Sequence, residues 1–183
     1  MAKSDTLLNK KKNGKKVKSM WRELIETVVS AGIIAFIIIT FIGQVTVVKG
    51  ASMEDTLFNR ERLICNKIVY RVAEPKHGDI VIFKPPIDQN HNYIKRIIAV
   101  GEDKVKIVEG IVYLNGERLE EDYIIHRSLE TMPEITIPEN SYFVLGDNRI
   151  NSSDSRFWGF VPRKNIIGRA SVVFWPITKA RMP

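Results

Sequence analysis

Hydrophobic and polar residues follow two different rules along the chain. Between Glu26 and Lys49 no residue is charged, and the 22 residues TVVSAGIIAFIIITFIGQVTVV run apolar without a polar face. A helix rising ~1.5 Å per residue crosses a ~30 Å hydrocarbon core in about 20 residues, so this stretch predicts a membrane-spanning helix. A buried helix of a soluble core would carry one polar side. From Gln44 onward the pattern changes to short apolar runs and alternation of period two. QVTVVKG, RLICNKIVYRV, GDIVIFKP, YIKRIIAV, KVKIVEG, IVYLNGERL, SYFVLGD and GRASVVFWP read as strands. They are rich in Val, Ile, Tyr and Phe and are bounded by Gly, Pro, Asn and Asp. Asn115-Gly116 predicts a type I′ hairpin, and Glu109-Gly110 turns the pair before it. Thr131–Asn140 reads as an extended polar surface connector with two prolines, and Pro85–Asn92 as a long loop. Beyond the anchor, helix is expected only as a turn near Pro162–Ile166.

The expected fold is therefore mainly β: a single N-terminal transmembrane helix, then a β-sandwich or partly coiled barrel. The expected divisions are a basic tail over 1–24, an anchor over 25–48 and an extracytoplasmic domain over 49–183. A hairpin-rich insert occupies about 101–137.

Charge adds the orientation. The 183 residues hold 28 Lys and Arg against 21 Asp and Glu, a net charge of +7. The first 26 residues carry eight of the cations against Asp5, Glu23 and Glu26, a surplus of five. The remaining 157 residues are nearly balanced, which argues against a broad nucleic-acid-binding face. Basic residues before the span, with Lys49 alone just after it, place the N-terminus in the cytoplasm. Attraction to anionic lipid accounts for the tail as well. The apolar run exceeds the ~7–15 residues of a cleavable signal peptide, and its exit, GQVTVVKGAS, has no A-x-A site. One cysteine, Cys65, excludes an internal disulfide and a Cys-rich zinc cluster. No metal or other cofactor is expected.

Three segments depart from an ordinary β-domain. Gly50-Ala-Ser-Met-Glu-Asp-Thr-Leu57 follows the membrane exit, and Tyr93-Ile-Lys-Arg-Ile-Ile98 is a strand with adjacent cations. Gly146-Asp-Asn-Arg-Ile-Asn-Ser-Ser-Asp-Ser-Arg156 is a dense polar loop between apolar strands. Neighbours in a strand face opposite ways, so one of Lys95 and Arg96 points inward while the other is freer to reach solvent or a partner. Desolvation lowers a lysine pKa from about 10.4, and a neutral amine is a general base. The alternative is a cation whose head reaches water. Ser52, after Gly50 and Ala51, offers a nucleophile to such a base, or is an ordinary loop serine. Asp147, Arg149, Asp154 and Arg156 can form internal ion pairs, either as the scaffold of a site or as a solvated turn.

In this order, S-M-x-x-T-L, Y-I-K-R-I-I and G-D-N-R-x-N-S-x-D-S-R-x-x-G after an N-terminal anchor closely resemble the bacterial type I signal peptidases, in their short single-span form. The resemblance runs from the anchor to the last residue. It implies a membrane-bound serine endopeptidase that removes signal peptides from exported precursors through a Ser–Lys dyad and an acyl-enzyme. In it Ser52 is the nucleophile and Lys95 the base, and Ser152 orients the lysine amine. Asp154 with Arg156, and Asp147 with Arg96, shape the site. The N–H of Ser52 forms part of the oxyanion hole, whereas the family's second donor, where it is a serine hydroxyl, falls on Gly50. Met53 and Tyr93 are expected at the substrate site. Small residues, typically Ala, are implied at the first and third positions before the cut. The implied partners are precursor proteins, membrane lipid and a nearby secretion translocon.

The family's usual S-M-x-P-T is here Ser52-Met53-Glu54-Asp55-Thr56. A carboxylate near Lys95 would favour the charged amine, so Asp55 is expected to point to solvent or a cation. No histidine is required, although His91 could share a strand face with Lys95. Two other readings are a catalytically idle anchored adaptor on the same scaffold and a Ser–Lys self-cleaving repressor. The anchor and the lack of a helix-turn-helix pattern speak against the repressor.

Overall fold

A computed structural model describes residues 20–36 and 43–183. The chain forms two units, Met1–Phe41 and Ile42–Pro183. The expected basic tail, up to residue 19, lies outside the described residues. In the first unit residues 20–36 are helical (α1). The few hydroxyls within this apolar helix satisfy themselves on its backbone: Thr27 Oγ1 donates to the Glu23 carbonyl at 2.8 Å and Ser30 Oγ to that of Glu26 at 2.7 Å.

The anchor was expected to run to residue 48. Residues 37–42 lie outside the described residues, and Gly43–Val47 are not helix but strand β1. The β-branched Val45, Thr46 and Val47 pair with Ile64, Leu63 and Arg62 of the next strand, and that ladder ends the apolar run as sheet. Among the described residues no helix is long and apolar enough to cross a membrane.

The second unit is mainly β, as expected. One antiparallel sheet has seven strands in the order β1-β2-β11-β3-β4-β9-β10, and a second has four in the order β7-β6-β5-β8. The larger sheet comprises β1, β2 (Arg62–Asn66), β3 (Ile80–Phe83), β4 (Tyr93–Ala99), β9 (Ser141–Leu145), β10 (Val161–Pro162) and β11 (Ile166–Trp175). The smaller comprises β5 (Lys104–Val108), β6 (Ile111–Leu114), β7 (Glu117–Arg118) and β8 (Met132–Thr136). Both hairpin turns have the left-handed pairs that type I′ geometry requires, Glu109-Gly110 at φ 48° and 78° and Asn115-Gly116 at 53° and 89°.

Strand β3 is buried along its whole length, and alternation divides it between two cores. Ile80 and Ile82 pack with Met53, Leu57 and Leu63, while Val81 and Phe83 pack with Val144 and Val161. A third cluster joins Ile98, Phe143 and Leu145 of the large sheet to Val105, Ile107 and Val112 of the small one.

Several elements differ from expectation for local reasons. RLICNKIVYRV is not one strand. Asn66 Oδ1 accepts from the N–H groups of Ile68 and Val69 at 3.0 and 3.2 Å, which turns the chain into the short helix α2 (Val69–Val72). The connector expected at 131–140 contains β8, and β10 was unforeseen. Each holds a proline and each lies at a sheet edge, where a missing N–H leaves no ladder bond unmade. Helix α3 (Ser155–Trp158) follows the polar loop and is capped by Asp154, whose side chain accepts from Arg156 N–H. The turn expected near Pro162–Ile166 is the 3₁₀ turn Arg163–Asn165.

Candidate active site

Strand pairing places the three chemistry-bearing segments together. Arg96 on β4 pairs with Leu145 on β9, so the loop that begins at Gly146 leaves the sheet level with Lys95. The loop over residues 48–61 joins β1 to β2 and is closed at its base by Val48 N–H donating to Glu61 O at 2.8 Å and Arg60 N–H to Val48 O at 2.9 Å. Val48, Met53 and Leu57 root it in the core. Asn148 N–H donates to the Ser52 carbonyl at 3.2 Å and ties this loop to the polar one.

At their meeting point Lys95 Nζ is hydrogen-bonded to Ser52 Oγ at 2.5 Å. Lys95 is the inward member of its pair, only 3% exposed, so the water-reaching alternative does not apply. Burial pushes its pKa down from 10.5 to about 8; the Asp154 and Asp147 carboxylates oppose that shift and the Arg156 guanidinium assists it. Keeping the amine charged in the fold costs on the order of 3 kcal/mol relative to water.

With Lys95 inward, Arg96 is the member that reaches a partner, and that partner is the Asp147 implied by the resemblance. Its side chain is 12% exposed and bidentate on Asp147, with Nε–Oδ1 at 2.9 Å and Nη2–Oδ2 at 2.7 Å. The guanidinium also stacks 3.9 Å from the Tyr123 ring centre. Burial lowers the Arg96 pKa, but the hydrogen-bonded Asp147 outweighs that and holds it above its ordinary value. Arg156 spans Asp154, at 2.8 Å from Nε to Oδ1, and Glu130, at 2.6 Å from Nη1 to Oε2. Asp154 Oδ2 accepts from Gly146 N–H at 3.1 Å. Both ion pairs implied by the resemblance are thus formed.

Other expected residues take different positions. Ser152 is buried, but its Oγ has no hydrogen-bond partner, so the lysine-orienting bond is not made. Its neighbour across the loop is Gly146, where the backbone approaches too closely for a side chain. Gly50, at φ 88°, spends its N–H on Asn59 Oδ1 at 3.2 Å. Met53 is 2% exposed and anchors the loop in the core at the base of the groove. The Tyr93 ring lies 5.9 Å from Lys95 Nζ and edge-on to Phe83. Asp55 does not reach solvent or a cation through Oδ2, which is buried without a hydrogen-bond partner inside the tight turn that Thr56 and Leu57 N–H close on the Met53 carbonyl. It is nevertheless not among the charges that shift Lys95. His91 precedes β4 and pairs with Asp88 at 2.7 Å.

Ser52 and Lys95 lie in a groove of about 700 Å³. One wall is residues 44–53, including most of β1, whose outer edge is unpaired among the described residues; another is residues 90–95, with Asn151 and Ser153 closing the side.

The arrangement is a buried amine, poised near neutrality, against a serine hydroxyl in an open cleft, which can perform acyl transfer without a histidine. A family model described as "Signal peptidase, peptidase S26" matches residues 21–175. The chain belongs to this family. The probable signal peptidase I-2 of Synechocystis is 42% identical over 174 residues, covering 92% of this chain and 80% of its own. Signal peptidase I P of Bacillus subtilis subsp. natto is 34% identical, covering 91% and 96%. The crystal structure of a signal peptidase I from Enterococcus faecalis aligns with TM-score 0.50 at 30% identity, covering 55% of this chain and 99% of its own.

Within this member of the peptidase S26 family the site extends beyond the motifs. Thr56 Oγ1 donates to Asp147 Oδ2 at 2.5 Å. The connector between β7 and β8 braces the polar loop: Arg149 Nη2 meets Glu121 Oε1 at 2.5 Å, Arg149 N–H donates to the His126 carbonyl at 3.0 Å, and Arg156 Nη1 donates to Ser128 Oγ at 3.0 Å. Thr56 is the threonine of S-M-x-x-T-L, although the motif alone gave it no role. Glu121, Tyr123 and Glu130 lie in a segment with no pattern, and nothing in the sequence pointed to them.

Proposed function

We propose that this signal peptidase, a serine endopeptidase acting on precursors that carry signal peptides, cleaves through Ser52 and Lys95. An extended precursor segment lies in the groove, and the open edge of β1 offers it backbone hydrogen bonds by strand addition. Neutral Lys95 accepts the Ser52 hydroxyl proton as Oγ bonds to the scissile carbonyl carbon. The tetrahedral adduct collapses as the C–N bond breaks, and Lys95 Nζ returns the proton to the leaving amine. Lys95 then takes a proton from water as its oxygen bonds to the ester carbon, and returns it to Ser52 Oγ as the C–Oγ bond breaks, releasing the acid and restoring free Ser52 and neutral Lys95. The Ser52 N–H is positioned to donate to the oxyanion, where one such donor is worth ~100–1000-fold. Arg96–Asp147 and Asp154–Arg156 hold the loop that flanks the lysine, and Ser152 Oγ, which has no other partner, is the hydroxyl available to steady the amine once substrate draws Ser52 away.

Residues 25–42 of the apolar run serve as a single membrane anchor, with the N-terminus cytoplasmic and the domain outside, beside the translocon that delivers precursors. Enzyme and scissile bond then meet nearly in two dimensions, and tethering raises effective concentration without new contacts. Lipid is a partner through the anchor and through exposed apolar side chains of the domain.

The observation that carries this reading is the buried Lys95 amine 2.5 Å from Ser52 Oγ at the floor of an open groove. The full chain in detergent, given a precursor with an A-x-A site, should make one cut after the second Ala, and Ser52→Ala and Lys95→Ala should each abolish it. Cleavage that survives either substitution, or a wild-type chain that binds precursor without cutting it, overturns the reading.

A further inference from the structure

We propose that Arg181 is a positioning residue for the nucleophile, holding the loop that presents Ser52 to Lys95. This rests on the Ser–Lys reading above and extends it to a residue outside the three motifs. After β11 the chain turns through Ile177–Lys179 and comes back along the strand, so that Arg181 and Val173 exchange backbone hydrogen bonds at 3.0 and 2.8 Å. That bridge fixes where the guanidinium points. Its Nη1 and Nη2 grip Glu61 Oε1 and Oε2, each at 2.8 Å, and Nη2 also donates to the Thr56 carbonyl at 2.5 Å.

Both contacts fall on the nucleophile loop. The Glu61 side chain is 3% exposed and sits at the loop's base, where Oε2 also accepts from Phe58 N–H at 3.0 Å. Burial alone would raise the Glu61 pKa; the Arg181 and Phe58 hydrogen bonds outweigh it and hold the carboxyl below its ordinary range. Thr56 is four residues beyond Ser52 and is gripped from two sides, its carbonyl by Arg181 and its hydroxyl by Asp147. Its N–H closes the turn on the Met53 carbonyl at 2.9 Å, next to Ser52 itself. Arg181 and Arg96 therefore hold Thr56 by its carbonyl and its hydroxyl, Arg96 chiefly through Asp147. Without Arg181 the buried Glu61 carboxylate loses its hydrogen-bonded guanidinium, keeping only the more distant charge of Lys179, and the Thr56 carbonyl loses its Arg181 donor. The turn relaxes, Ser52 moves off Lys95, and water reaches an amine on which the charges of Asp154, Asp147 and Arg156 already act.

The test is the pH profile of precursor cleavage by the full chain carrying Arg181→Ala, Arg181→Lys or, as a control, Arg163→Ala. The control breaks the Arg163–Glu74 pair, 2.7 Å long and away from the loop. Arg181→Ala should lower kcat ~10–100-fold with KM little changed, because a displacement approaching 1 Å suffices for that loss. It should also move the rising limb upward by about half a pH unit or more as the amine is rehydrated. Arg181→Lys keeps the charge but not the fork, and should recover part of kcat and part of the limb. Arg163→Ala should leave the limb in place. NMR titration of ε-13C-labelled Lys95 reads the same displacement without turnover, so failure of this proposal is separable from failure of the Ser–Lys reading. Wild-type kcat, limb and Lys95 titration in Arg181→Ala would overturn it, as would a variant that loses thermal stability while its limb stays in place. Should Arg181→Ala not fold, an unchanged Lys95 titration in Arg181→Lys would overturn it equally.

Discussion

A methyl group at Gly146 would be driven between Ser52 and Ser152. Its Cβ would overlap Ser152 Oγ and stand 2.5 Å from the Ser52 carbonyl oxygen and 2.6 Å from Ser152 Cβ. Ordinary contact starts near 3.4 Å, so the Ser52 carbonyl would have to yield about 0.9 Å and the Ser152 Cβ about 0.8 Å. The Ser152 hydroxyl, without a hydrogen-bond partner, can turn aside, but the Ser52 carbonyl and the Gly146 backbone cannot yield freely. The Ser52 carbonyl is bonded to Asn148 N–H and the Gly146 N–H to Asp154, so the strain passes to the 2.5 Å contact between Ser52 Oγ and Lys95 Nζ. Overpacking of this kind costs ~1–3 kcal/mol in stability, and misplacing a reacting atom by ~1 Å costs ~100-fold in rate. Gly146→Ala should therefore fold with a modestly lowered melting temperature and cleave precursor about 100-fold more slowly, mostly in kcat. Single-turnover cleavage well below the melt separates the two effects. A folded variant with kcat within about threefold of wild type would refute the claim that Ser52 is wedged against the polar loop.

The other expectations concern the brace, the missing proline and the membrane face. The Glu121–Arg149 pair is 1% and 3% exposed, so Glu121→Ala should cost about 3–5 kcal/mol in urea unfolding, while Glu121→Leu with Arg149→Met recovers most of it; a single variant as stable as wild type would contradict the buried pair. Asp55→Asn should leave the rising limb of the pH profile where it is, and Asp55→Pro should keep turnover within about threefold, since Asp55 is not among the charges that shift Lys95. A limb that drops with faster cleavage would mean that Asp55 does restrain the base. Trp175 is 49% exposed while Trp158 packs on Phe83 with ring centres 6.0 Å apart. In a Trp21→Phe, Trp158→Phe background, anionic vesicles should shift Trp175 emission to the blue, and an unchanged spectrum would remove this face from the lipid contact.

How much of this was readable beforehand depended on whether the signal was local. Alternation in KVKIV and RLICN marks β5 and β2, and each does bury every second residue. The edge strands β8 and β10 hid behind their prolines. Helix α2 hid behind a single asparagine side chain that stops β2, and α3 behind an Asp cap whose charge suggested a site rather than a helix start. The meeting of Ser52 with Lys95 and the two ion pairs, Arg96–Asp147 and Asp154–Arg156, were legible because each lies within, or between, motifs of fixed spacing. The brace was not: Glu121 meets Arg149 across 28 residues and Arg181 meets Glu61 across 120, and ion pairing at such separation leaves no periodic trace. The Tyr123 ring over Arg96 was hidden for a related reason: strand geometry says which way a side chain leaves the sheet, but not that a distant tyrosine awaits it there.

The central claim is that Lys95 works as an uncharged base at the bottom of the groove. The pH dependence of kcat/KM for precursor cleavage tests it most directly. A protonated amine cannot accept the serine proton, so activity should climb with pH through a single ionisation near pH 8, and at pH 7 about a tenth of the limiting rate should remain. Lys95→Ala should remove the climb together with the activity. A profile flat from pH 6 to 10, or one that Lys95→Ala leaves unchanged, would contradict it.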